Sequence, residues 1–284
     1  MEGRGLHTPV TRLLRVAAAA LLLGATTRAQ DGAASKPGPA APTAAAAART
    51  APSEEEISLA VADLAHAAEL TDPVERALAV SRNAGVASPK VVKGLARFMK
   101  DKQAGVRLAA IDALGLTAHA DALKELHRAC QSDAKLREDV SLHAALLKAI
   151  GRHASPSSLK VLAEDAWKVI DDRVIQARLY AIGNIRTKAA VALLMELMNT
   201  DPTTPFQQSP YMEHFRVALA ALSGVDQRED KEAWRAWWRE AEASLKLAPE
   251  PRLPAELQPR WEQFWAPSEP APEPAPAAGA EPAR

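Results

Sequence analysis

The chain has 284 residues, equal numbers of acidic and basic side chains, and only 4% aromatics. That neutral balance argues against a general nucleic-acid binder, which needs a basic surplus. The single cysteine excludes an internal disulfide framework and any cysteine-built zinc site.

In chain order, the first feature is a basic start. Arg4, Arg12 and Arg15 are opposed only by Glu2, an apolar run fills 16–23, and Thr27-Arg28-Ala29 places small residues at the −3 and −1 positions of a cleavage site. This order predicts a secretory signal peptide over 1–29, and hence a periplasmic or secreted protein with no membrane insertion after cleavage. The alternative is an uncleaved anchor, against which the short apolar run weighs. No cysteine follows the run and no Arg-Arg pair precedes it, so neither a lipoprotein anchor nor a twin-arginine signal is indicated. Residues 30–53 are Ala, Pro, Gly, Ser and Thr with almost no large apolar side chain. Such a segment cannot bury enough surface to offset its ordering entropy, which predicts a disordered linker.

Region 54–225 is repetitive. Segments 76–85, 106–115, 142–151, 174–183 and 215–224 align without gaps and end in Gly85, Gly115, Gly151, Gly183 and Gly224, spaced by 30, 36, 32 and 41 residues. Each has Ala at its fourth position: Ala79, Ala109, Ala145, Ala177 and Ala218. Periods of this length predict stacked helix pairs. The terminal Gly is expected to close each helix in a left-handed conformation, and the alanines to let helices approach closely. Positions 3 and 7 of each segment lie opposite the apolar arc and are expected to face solvent. A second amphipathic stretch precedes each segment, at 54–69, 88–100, 119–131, 156–169 and 187–199.

Segment 106–115 reads Val-Arg-Leu-Ala-Ala-Ile-Asp-Ala-Leu-Gly and resembles the second helix of a HEAT repeat. Asp101 and Arg107 match the Asp and Arg that such repeats stack in ladders. Arg216 repeats the Arg, whereas His143, Ile175 and Ala77 replace it elsewhere. The resemblance covers roughly 54–225 and implies an all-α fold, an α-solenoid of about five HEAT-like helix pairs. A Pro-, Thr- and Gln-rich insertion at about 201–210 interrupts the last pair. Region 226–266 carries Asp230, Trp234, Trp237 and Trp238, and resembles the Trp-rich helix that closes many exported bacterial HEAT proteins. It is expected to be a capping helix, followed by a short stretch with Leu257, Trp261, Phe264 and Trp265 and with Pro259 near its helical start. Residues 267–284 alternate Pro with Ala and Glu, which predicts a disordered tail.

No catalytic constellation is visible. The histidines are scattered at 7, 66, 119, 127, 143, 153 and 214, with no His-Glu-x-x-His motif. HEAT hydroxylases carry repeated His-Glu pairs as iron ligands, and this chain has only the reversed Glu213-His214. No catalytic residue, metal ligand or cofactor is therefore assigned. His143 and His153 read as surface or groove residues, and Cys130, on the stripe of Leu123 and Leu126, reads as a small buried hydrophobe rather than a reactive thiol. The expected function is a non-catalytic scaffold that binds a protein partner through the concave face of the second helices. The residues expected on that face are Arg82, Asp112, Lys148, Arg173, Tyr180 and His214. Two alternatives stand beside it: carbohydrate or peptidoglycan binding by the Trp cluster, and an unrecognised enzyme.

Overall fold

The computed structural model describes residues 51–203 and 209–266; the expected signal peptide, most of the linker, the middle of the insertion and the tail lie outside the described residues. The described chain is all-helical, with thirteen α-helices and no strand. The five aligned segments fall on α2 (Pro73–Arg82), α4 (Ala104–Leu116), α7 (Val140–Arg152), α9 (Asp172–Gly183) and α11 (Met212–Ser223). These second helices contact one another in succession, α2 on α4, α4 on α7, α7 on α9 and α9 on α11. The first helices are α1 (Glu54–Ala67), α3 (Pro89–Phe98), α5 (Ala120–Ser132), α8 (Leu159–Ala163) and α10 (Lys188–Thr200), each packed on its partner second helix. A short α6 (Ala134–Glu138) lies between α5 and α7, and α12 (Lys231–Ala241) and α13 (Gln258–Trp265) follow.

Local signals set most of the helix starts. Ser53 and Glu56 form a reciprocal capping box on α1, and Asp72, Asp139, Asp171, Thr187 and Asp230 each accept a backbone N–H in the first turn of the helix that follows. These side chains satisfy donors that a helix start otherwise leaves open.

The repeated glycines divide into two groups, which corrects the sequence expectation. Gly85 and Gly224 are left-handed, with φ of 87° and 74°. Gly115, Gly151 and Gly183 lie inside their helices. Their role is close approach. A β-carbon at Gly115 would meet Ala149 Cβ at 2.8 Å, one at Gly151 would meet Ala181 Cα at 2.7 Å, and one at Gly183 would meet Ala218 Cα at 3.0 Å. Each glycine therefore lets the next second helix lie against its backbone, and the alanine opposite is the complementary small residue. Of the five fourth-position alanines, Ala79, Ala177 and Ala218 are fully buried, while Ala109 and Ala145 are partly buried.

The predicted helix at 156–169 is the second correction. Only α8 is helical there, preceded by one 3₁₀ turn, and the chain leaves the helix after Ala163, passing through Asp165 at φ 51°. The carbonyls released at this break are taken by Arg178 Nη1, at 2.6 Å from Leu162 O and 3.2 Å from Glu164 O. A comparable tie recurs elsewhere. Arg76 reaches Leu70 O, Arg107 reaches Asp101 O and Lys102 O, and Arg137 reaches Cys130 O and Gln131 O. In each case a guanidinium holds the turn after a first helix. The ladder expected of Asp101 and Arg107 takes a different form, because the Asp101 carboxylate pairs with Arg76 at 3.0 Å.

Candidate binding face on the second helices

The six residues expected on the solvent face fall into different environments. Arg82 is exposed and pairs with Asp63 at 3.1 Å. Arg173 is exposed beside Asp171, at the start of α9. Asp112 accepts from Arg152 at 2.9 Å, with the guanidinium almost fully enclosed. Lys148 is half-buried, His214 is mostly covered and sits 2.9 Å from Asp172, and Tyr180 is only 1% exposed. The expectation of a uniformly solvent-facing row is thus corrected at Lys148, Tyr180 and His214.

His214 lies against Tyr180, Tyr211 and Asp172, while over Lys148 and Tyr180 the covering element is α13. Helix formation there begins with Pro259 in the first turn, where its missing N–H is not needed. The spacing of Trp261, Phe264 and Trp265 then gathers three rings on one side of the helix. Tyr180 meets Trp261 at a ring-centroid distance of 5.5 Å and Phe264 edge-on at 4.9 Å. Lys148 Nζ donates to Ala266 O at 3.0 Å and lies 5.3 Å over the Phe264 ring. The Trp265 ring passes Gly151 so closely that a β-carbon there would meet it at 2.8 Å. On the α11 side, Arg260 pairs with Glu213 at 2.8 Å, and Glu256 pairs with Arg216, which also holds Asp226 at 2.7 Å. The segment therefore runs from α11 past α9 to α7.

The electrostatics follow from this cover. Burial pushes the Lys148 ammonium down to about 8, with the nearby Arg152 charge acting in the same direction. Burial likewise pushes the Tyr180 phenol up to about 12. The Arg216 guanidinium, hydrogen-bonded to Asp226, holds that carboxyl below the usual carboxylate range.

Where α13 stops, the face changes character. Val74, Leu78 and Arg82 are spaced four apart on α2, and Leu108, Asp112 and Leu116 are spaced four apart on the adjoining α4. Leu78 is 50% exposed, Val74 and Leu116 are also exposed, and Leu108 is partly buried. Sequence reading missed both this patch and its covered counterpart. A signal existed: positions 3 and 7 of the fifth segment are Val217 and Ala221, too apolar for a solvated row.

The indoles of α12 do not form one open platform. Trp234 is fully buried, with its Nε1 donating to Arg228 O at 2.9 Å, while Trp237 and Trp238 pack partly against the core. Trp261 and Trp265 are buried. Among the described residues no group of three His, Cys, Asp or Glu is placed to hold a metal ion, and no helix is long and apolar enough to cross a membrane. No protein-family model matches the chain, and no curated protein matches it either.

Proposed function

We propose that this chain is an exported, HEAT-like α-solenoid whose second helices form a concave face, that α12 and α13 close its last repeats, and that it works as a non-catalytic scaffold for a protein partner. One observation carries the reading: the second-helix face already holds an aromatic helix, α13, through Tyr180, Gly151 and Lys148. A surface that seats Trp and Phe side chains from its own chain has the small residues, ring partners and flanking charges that a partner helix needs. The adjoining strip of Val74, Leu78, Leu108 and Leu116, with Arg82 and Asp112 beside it, offers the same mixture without α13 over it. The proposed partner segment is an amphipathic helix that lays apolar side chains along this strip.

The test begins with partners captured on the folded protein from the envelope of its own cells. Binding is then measured for a Leu78→Glu, Leu116→Glu double variant and for an Ile170→Glu control at another exposed apolar residue. The expected result is at least a tenfold loss in the double variant and none in the control. Equal affinity in all three proteins removes the strip from consideration.

A further inference from the structure

The break after α8 leaves a space that a full-length first helix would fill. The cleft so formed has a volume of about 210 Å³ and is bounded by α5, α6, α7, α9 and the turn that follows α8. Its inner wall carries Cys130, Arg137, His143, Val161 and Arg178. We propose that this cleft is a binding site for one small oxyanion, of the size of sulfate, phosphate or a short carboxylate, held by Arg178 and Arg137 with His143 as a further donor. The proposal is independent of the scaffold reading.

Arg178 is what sets the cleft apart from the other guanidinium ties. Arg76 has the Asp101 carboxylate beside it, and Arg107 and Arg137 are partly open to solvent. Arg178 is 3% exposed, and the opposing charges that act on it are those of Cys130 and, from the rim, Asp165. Its Nη1 is occupied by the two backbone carbonyls, but its Nε is buried without an acceptor. A buried charge whose nearest carboxylate stays at an exposed rim is costly, and so is a buried donor without a partner. His143, also 3% exposed, has a second buried nitrogen, Nδ1, without a hydrogen-bond partner, while the Arg137 backbone beside the ring favours its protonated form. Both residues line the cleft, and their two unpartnered nitrogens lie just behind its wall.

The acidic residues around the cleft do not supply it. Glu138, Glu164 and Asp165 are exposed at the rim; Glu164 takes a hydrogen bond from Gln131 at 3.0 Å, and Asp165 pairs with Lys168 at 3.3 Å. The inner wall is consequently cationic and the rim mixed. The volume corresponds to roughly seven waters at about 30 Å³ each, enough for a small oxyanion and too little for a nucleotide. An oxyanion supplies both the charge and the several acceptor atoms that guanidinium groups recognise.

His143 is pushed down to about 4 by burial and by the charges of Arg178 and Arg137, so it is neutral near pH 7. The titratable and charged groups around it in the cleft are Cys130 on α5, Arg137 and Glu138 on α6, Arg178 on α9, and Glu164, Asp165 and Lys168 on the turn after α8. A bound anion offsets the two arginines and favours the imidazolium, so affinity for sulfate rises as pH falls from 7 toward 5.

The experiment uses the full-length folded protein. Titration calorimetry with sulfate, phosphate, succinate and acetate, against chloride at matched ionic strength, is expected to show saturable one-site binding for at least one of the oxyanions and none for chloride. Cys130 is the only cysteine in the chain, so its alkylation by uncharged iodoacetamide reports on the same cleft and is expected to slow severalfold at saturation. Arg178→Gln should abolish the binding. Because that change also removes the tie to Leu162 and Glu164, Arg137→Gln serves as the milder variant, expected to weaken binding about tenfold while the helical circular dichroism is retained. Absence of saturable binding to the folded wild type overturns the proposal. So does binding that leaves Cys130 alkylation unchanged, or binding that both variants retain.

Discussion

The helices at the two sides of the described chain solve the same problem differently. On the α7, α9 and α11 side, the second-helix row is covered by α13, and Trp234, Trp261 and Trp265 are buried among the helices. On the α1 and α2 side, Leu59, Val61, Val74 and Leu78 stay exposed. Helix pairs of one kind need a neighbour to bury their apolar surface. The described residues supply that neighbour on one side only, and the exposed side is where the proposed partner has something to cover.

Four measurements break or sharpen this contrast. The largest effect is expected at the covered side. Trp261→Ala removes a fully enclosed indole beside Tyr180 and should cost about 3–5 kcal/mol in denaturant unfolding, with a red shift of the remaining Trp emission. An unchanged midpoint would mean that α13 does not rest on Tyr180.

The next effect is a dependence on acid. The folded-state pKa of His143 is depressed to about 4 from an ordinary 6.5. Its contribution to stability is therefore fully present above about 6.5 and is lost as the pH falls from there toward 4, by on the order of 2 kcal/mol. Urea midpoints measured across that window should fall in the wild type and fall less in His143→Leu. Parallel curves for the two proteins would place the acid sensitivity elsewhere.

A smaller change is expected at the helix–helix contact. Gly151→Ala gains roughly 1 kcal/mol of helix propensity, but its new methyl group meets Ala181 backbone at 2.7 Å. Overpacking of this kind costs about 1–3 kcal/mol, so a net loss is expected, read as a lower thermal midpoint. A stabilised variant would show that α7 and α9 can move apart without penalty.

The smallest effect belongs to the open side. Leu78→Glu should change stability by no more than about 0.5 kcal/mol, because the side chain is half exposed and nothing covers it in the described chain. A large destabilisation would show that the strip is part of the core and not a docking surface.

How much of this could be read from the sequence depended on whether a signal was local. The second helices were legible because their apolar residues recur with helical spacing, with an Ala and a Gly at fixed places in each copy. The role of Gly115, Gly151 and Gly183 was not, since a glycine that ends a helix and one that admits a neighbour look alike until the neighbour is placed. The predicted helix over 156–169 failed for a related reason. Ala166 and Val169 still turn inward after the break, so the apolar period continues where the hydrogen bonding does not. The six face residues were identified as one row, yet Lys148 and Tyr180 lie beneath a segment more than seventy residues further along. No local pattern reports where such a segment docks.

The path of α13 also has a consequence for the order in which the molecule is assembled. Most packing here joins helices that are neighbours in the chain, and such contacts form quickly because little loop entropy is lost. The bond between Lys148 and Ala266 spans 118 residues. On a ribosome, the helix pairs through α11 emerge and pack while Tyr180 is still bare, and it stays bare until α13 has been made. Among the described helices, seating α13 is then the last packing step, and refolding followed by Trp emission should show a phase later than the gain of helical circular dichroism. A chain interrupted before residue 258 would keep a ready-made apolar trough open to any aromatic helix nearby, including one from another copy.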